Sequence, residues 1–238
     1  MSRYKILFLF VLTFFIPAGL SGIMPELMLI SHAASKQQDS IRENQVIYNG
    51  KIWRNLYYMV NEDQFLFSKE FLKGSVTMRG ISCSNINLKY DIFKDELLTT
   101  VESGGVLQLN KEMVDSFSVL FQDKMYRFIR IKEDSTEGQK GYFNILYKGK
   151  TALYLKYFKK IDKLSVNGEN EKFYQFNKLY FAKDNKIFQI TGKNDLLNIL
   201  KDQKELIKSY IKKNNIKVSE KEPETFIPVI RYFDSISQ

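Results

Sequence analysis

The sequence predicts a mainly β protein of the α+β class: an antiparallel β meander or sandwich-like sheet with one or two C-terminal helices packed on it. Three observations lead there. Between residues 51 and 191, short apolar and aromatic runs recur between turn residues, which is the signature of strands. The connections joining several of these runs are short enough for hairpins, and hairpins make neighbouring strands antiparallel. At Gly192 the apolar spacing changes from alternation to helical periodicity.

Leu56–Val60 and Phe65–Phe67 read as short opening strands, and 74–80 as a strand between glycines. Ile86–Phe93 and Glu96–Val101 flank Lys94-Asp95, and Gly104-Gly105 turns the chain into Val106–Leu109. Ser116–Phe121 and Met125–Ile131 flank Gln122-Asp123-Lys124, and Tyr142–Tyr147 and Thr151–Phe158 flank Lys148-Gly149-Lys150. Alternation through 151–160 places Leu153, Leu155 and Tyr157 on a core face. Tyr154, Lys156, Phe158 and Lys160 fall on the opposite, solvated face. Asn167-Gly168 suits a type I′ turn because both residues tolerate positive φ. Leu179–Ile190 is a near-symmetric hairpin around Asp184-Asn185.

Beyond Gly192, Asn194 can cap a helix with Asp195 in its first turn. Leu196, Leu200, Ile207, Tyr210 and Ile211 recur at helical spacing, and the helix should end near Asn214-Asn215. Its apolar stripe should cover the sheet. Pro223 and Pro228 bracket a last segment in which Phe226, Ile230 and Phe233 suit a short closing helix. No fixed-period repeat or low-complexity tract interrupts this order.

The N-terminus bears on location. Arg3 and Lys5 precede an apolar run, Ile6–Ile16, followed by helix breakers at Pro17, Gly19 and Gly22. Ser31-His32-Ala33 then offers the small-x-small pattern that a signal peptidase reads, placing cleavage near Ala33 and Ala34. The rival is an uncleaved anchor, since Ile6–Ile30 is long enough to span a membrane. Pro17, Pro25 and Glu26 weigh against it, because an acid near the centre of a spanning helix costs about 2.5–3.5 kcal/mol. A lipoprotein would need a Cys at the cut, and the one Cys is Cys83. The expected organisation is a signal peptide over 1–33, a flexible leader over 34–50, a β region over 51–191 and a helical region over 192–238. The expected location is the periplasm, the cell surface or the extracellular medium, with no transmembrane segment after cleavage.

Composition narrows the chemistry. The chain of 238 residues has one His, His32, inside the segment expected to be removed. The folded part then has no imidazole, so a Ser-His-Asp triad, a Cys-His pair and a His/Cys zinc site are excluded. Cys83, in Ile81-Ser-Cys-Ser, reads as a small buried residue. Ser209-Tyr-Ile-Lys212 fits S-x-x-K, but inside a lysine-rich helix and with a second match at Ser2–Lys5. No nucleophile elbow, phosphate loop or dinucleotide fingerprint occurs, and no cofactor or metal is expected.

Two groups of residues remain as candidate sites. Asp91, Asp95 and Glu96 are the densest carboxylates of the β region, and a glycoside hydrolase needs two acids about 5–9 Å apart. The plainer account is that Asp95 shapes the turn while the others face solvent. The second group is basic. Six lysines and one acid lie between Lys148 and Lys163, and eight lysines against four acids between Lys193 and Lys221. The Tyr154, Lys156, Phe158, Lys160 face interleaves rings with positive charge, a pattern that can track a polyanion. Lysine also simply solubilises strands and guards sheet edges.

Three segments, 74–98, 140–162 and 194–217, together resemble a broad group of uncharacterised exported proteins of Bacteroidota-type bacteria. The likeness rests on Leu88-Lys89-Tyr90-Asp91, on Gly141-Tyr142-Phe143 opening a lysine-rich hairpin, and on the terminal Leu/Lys helix. It implies export and a β-then-α architecture and adds no mechanism. The expected function is therefore a non-catalytic envelope or secreted module with a binding or structural role, with another envelope protein or an envelope polyanion as partner. The alternatives are a carboxylate-dependent enzyme acting on glycan and a binder of glycolipid, acidic polysaccharide or DNA through the basic hairpin, nucleic acid being the less expected partner.

Overall fold

The computed structural model describes residues 47–132, 139–162 and 171–237. The expected signal segment, all but the last residues of the leader, and the Asn167-Gly168 turn lie outside them.

Eleven strands form one antiparallel sheet among the described residues: β1 (Gly50–Ile52), β2 (Leu72–Met78), β3 (Ile81–Asp91), β4 (Glu96–Thr100), β5 (Val106–Leu109), β6 (Val114–Phe121), β7 (Lys124–Ile131), β8 (Gly141–Lys148), β9 (Ala152–Asp162), β10 (Lys172–Lys183) and β11 (Lys186–Ile190). Their order is β1-β5-β4-β3-β2-β6-β7-β8-β9-β10-β11. Turn chemistry fixes much of this. Gln122-Asp123 and Asp184-Asn185 join their strands as two-residue loops, and all four residues take positive φ, as a type I′ turn requires. Three helices follow: α1 (Lys193–Ile199), α2 (Lys204–Lys213) and α3 (Ile227–Ile236). The fold is thus mainly antiparallel β with C-terminal helices packed on the sheet.

The sheet is strongly curled. β3 and β8 are separated by β2, β6 and β7, yet the turn after β3 meets the start of β8. β8 and β9 pair from Asn144–Leu155 onward and part on the other side of that pair. The Ile92–Asp95 turn sits in this split, where Lys159 N donates to Ile92 O (3.4 Å) and Tyr142 N to Asp95 Oδ1 (3.3 Å). The 61–66 segment completes the closure. Leu66 N donates to Tyr90 O, Ile92 N to Gln64 O, and Phe173 N to Asn61 O.

Aromatic rings fill the inner face. Tyr90, Phe117, Phe128 and Tyr142 are all buried; Tyr90 and Phe117 touch each other and both of the other rings, with Phe117 and Phe128 stacked at 4.6 Å. The same cluster runs on through Leu153, Leu155, Tyr157 and Phe181 to Leu196, Ile207, Val229, Ile230 and Phe233 of the helices. Leu153, Leu155 and Tyr157 therefore lie on the core face.

Five local expectations are corrected. Leu56–Val60 is no strand: Asn55 Oδ1 accepts Tyr57 N and Val60 N donates to Tyr57 O, so side chain and turn take the bonds a strand would need. In Phe65–Phe67 only Phe65 makes a bridge, to Asp91. The first helix is broken after Ile199 by a 3-10 turn, Lys201–Gln203, whose Lys201 and Asp202 are exposed and give it little packing to hold α register. Its cap is Gly192 rather than Asn194, with Asp195 accepting from Thr191 N and Thr191 Oγ1. Finally, the outer face of β9 is solvated only at one end. Tyr154 and Lys156 are buried, packed with Phe143 and Tyr180 in a second, smaller cluster.

Candidate functional site

The β3–β4 turn divides its acids between two surroundings. Asp91 ends β3 and is buried, and its Oδ1 accepts Phe93 N (3.0 Å) and Lys94 N (2.9 Å). This is an Asx-type turn, so Asp91 shapes the reversal through its side chain while Asp95, at positive φ, shapes it through its backbone. Burial raises the Asp91 carboxyl to about 6, against the pull of those two N–H groups. Asp95, at φ 57, turns the other way, into the split between β8 and β9. It accepts from Tyr90 OH (2.7 Å), Tyr142 N and Lys111 Nζ (2.7 Å), with Lys156 Nζ at 3.9 Å. Burial and the Asp95 charge together push the Tyr90 hydroxyl far above its ordinary range.

Glu96 stands directly across from Asp91 in the β3–β4 register. Both border a cleft of about 380 Å³ walled by Trp53, Arg54, Tyr57, Gln64 and Lys94. Asp91 is 1% exposed, so of the two acids it is Glu96 that the cleft presents. Asp95 does not join them. The three sequence neighbours thus form one half-presented pair and one separate structural carboxylate.

The lysine–aromatic face is larger than β9 alone suggests. Register places Lys160 opposite Tyr174, Phe158 opposite Phe176, and Lys156 opposite Lys178 on one face of the β9–β10 hairpin. Phe158 and Phe176 stack at 5.1 Å with their planes 8° apart. Lys160 lies over Phe176 (5.1 Å) and Lys178 over Phe158 (5.7 Å). The far end is exposed at Tyr174 and Lys160, half-buried at Phe158, Phe176 and Lys178, and closed at Lys156. Lys156 Nζ donates to Lys140 O and touches Phe143 and Phe158, and its burial lowers its pKa, with Asp95 pulling the other way. Lys156 therefore belongs to the internal network with Asp95, while Lys160 and Lys178 are the cations on the surface.

Other residues singled out in the sequence fall elsewhere. Cys83 is buried on β3, and Ser209 and Lys212 lie on the exposed side of α2. Tyr174, Phe176 and Lys178 escape the sequence reading because their register with β9 is set across the nine residues between β9 and β10, although their own alternation is a usable signal. Asp234 and Lys159 are also missed. The first accepts from Thr151 N, Thr151 Oγ1 and Tyr147 OH, and the second donates to Asp63 O and Phe65 O.

No protein-family model, curated protein or solved structure matches the chain.

Proposed function

We propose that this chain is an exported, non-catalytic binding module that holds an acidic polymer of the cell envelope against the outer face of the β9–β10 hairpin. One observation carries the reading: stacked rings and surface lysines alternate along a single face, giving a stripe that can neutralise a polyanion while rings pack on its backbone or sugars. Export rests on the N-terminal sequence pattern. In the buried network around Asp95 the carboxylate is taken up by Tyr90 OH, Tyr142 N and Lys111 Nζ, which supports a structural role for that acid.

Retention on immobilised heparin tests the face. Lys160→Glu with Lys178→Glu should elute at clearly lower salt than the parent protein, and unchanged elution would refute the assignment. Lys156→Glu is the wrong probe, since it sets a second carboxylate beside Asp95. Intact mass tests export: the secreted product should begin within a few residues of Ala34.

A second reading has one observation in its favour. Asp91 and Glu96 face each other beside Trp53 and Tyr57, and one of the two carboxyls is raised to about 6, as a general acid requires. A glycan hydrolysis that disappears in Glu96→Gln would favour it over binding alone.

A further inference from the structure

The helical layer holds a groove with a different character from the hairpin face. It lies between α1 and α2 and the chain leaving α2, and measures about 570 Å³, within the range of small-ligand sites. Leu197, Ile211 and Ile216 line it as an apolar floor, and Lys193, Lys208, Lys212 and Lys217 surround them.

The end of α2 explains why the floor exists. Asn215 takes φ 50, Ile216 N donates to Ile211 O (3.1 Å) and Asn215 N to Lys212 O (3.3 Å). This is a Schellman turn, whose usual accompaniment is a hydrophobic contact between the two residues found here at 211 and 216. The turn also engages the last carbonyls of α2, so the helix's negative end is not left open toward the groove. No acid lines the groove, and of the four lysines Lys208 is the one with an ion pair among the described residues, to Glu205 (2.8 Å).

We infer that this groove binds an anionic amphiphile, a single molecule with a phosphate or carboxylate head and one aliphatic chain. The head answers the excess of lysines, and the chain covers the Leu197–Ile211–Ile216 floor. A small inorganic anion would leave that floor wet, and a neutral amphiphile would leave the cations unanswered. The inference goes beyond the hairpin reading and holds whether or not the chain is exported.

Calorimetric titration of the full chain with dodecyl phosphate below its micelle concentration tests it. One equivalent should bind saturably, with affinity falling as salt is raised. Inorganic phosphate and dodecyl maltoside should bind at least about tenfold more weakly, a difference of about 1.4 kcal/mol or more. Lys212→Glu with Lys217→Glu should raise the dissociation constant by a similar factor, whereas Lys160→Glu with Lys178→Glu should leave it unchanged, so the two readings fail separately. Methyl resonances of Leu197, Ile211 and Ile216 in the unsubstituted protein should shift on binding, and this decides the matter if the groove variant does not fold. Equal binding of dodecyl maltoside, an unaffected groove variant, methyl shifts elsewhere, or binding only to phosphatidylglycerol vesicles and not to the monomer would each overturn the site.

Discussion

Asp91 and Asp95 differ by four residues and by everything around them. Asp91 is an acid whose folded pKa of about 6 lies above its ordinary value of 3.8. Such a group contributes stability fully below the unfolded pKa and loses it as pH rises through the folded one. Over that window the loss amounts to about 2–3 kcal/mol, from two pKa units at about 1.4 kcal/mol each. Asp91→Asn keeps an acceptor for Phe93 N and Lys94 N and removes the charge. Its urea midpoint should therefore match or exceed the parent's near pH 7, and the parent's decline between about pH 4 and pH 6 should flatten. Two tyrosines around Asp95 give a second test. Tyr90→Phe removes a donor to a carboxylate and should cost about 1–3 kcal/mol. Tyr142→Phe should be neutral or stabilising, because the buried Tyr142 hydroxyl has no hydrogen-bond partner among the described residues. Thermal unfolding of the two variants side by side checks the contrast. The sequence marks these acids as a cluster and Asp95 as a turn residue, but not the burial of Asp91. Whether a turn carboxylate folds back on its own backbone or reaches out depends on the backbone angle at Asp95 and on Tyr142 and Lys111, which are distant in the chain.

At the scale of elements, hairpins and amphipathic stripes were legible because both are local: a two-residue turn or an i, i+4 repeat needs no partner to be recognised. The breaks were not. Lys201–Gln203 carries a helix-compatible sequence, yet it forms a 3-10 turn whose Lys201 and Asp202 are exposed. The outer face of β9 fails for the reverse reason, since Tyr154 and Lys156 look solvated until Phe143 and Tyr180 from neighbouring strands cover them. The closing helix α3 is legible in the spacing of Phe226, Ile230 and Phe233, but its lock is not. Asp234 receives three hydrogen bonds from the β8–β9 hairpin: Thr151 Oγ1 at 2.7 Å, Tyr147 OH at 3.0 Å and Thr151 N at 3.2 Å. Asp234→Ala leaves those donors unanswered in a buried place and should cost about 2–4 kcal/mol. Amide exchange should rise along α3 and at Thr151, well before β3 is affected, if the lock is local as its contacts indicate.

The molecule as a whole depends on a closure that no single element contains. A sheet of this many strands curls or splits; here the curl is held where a turn from one part of the sheet enters a gap in another. Gly141 is the narrowest point of that junction. Its φ is +102, a conformation L side chains rarely adopt, and a methyl group there would run into the Asp95 carboxylate. Gly141→Ala should therefore do more than strain one residue, which alone costs about 1–3 kcal/mol. By displacing Asp95 it loosens the bonds to Tyr90, Lys111 and Tyr142 together, and with them the Lys159–Ile92 contact on the other side of the turn. Amide exchange should increase at Tyr142 and Lys159 in concert, although the two lie on different strands, while α3 stays as protected as in the parent. Independent behaviour of those two amides would mean that the sheet closes through its ring-filled core alone and that the inserted turn is incidental to it.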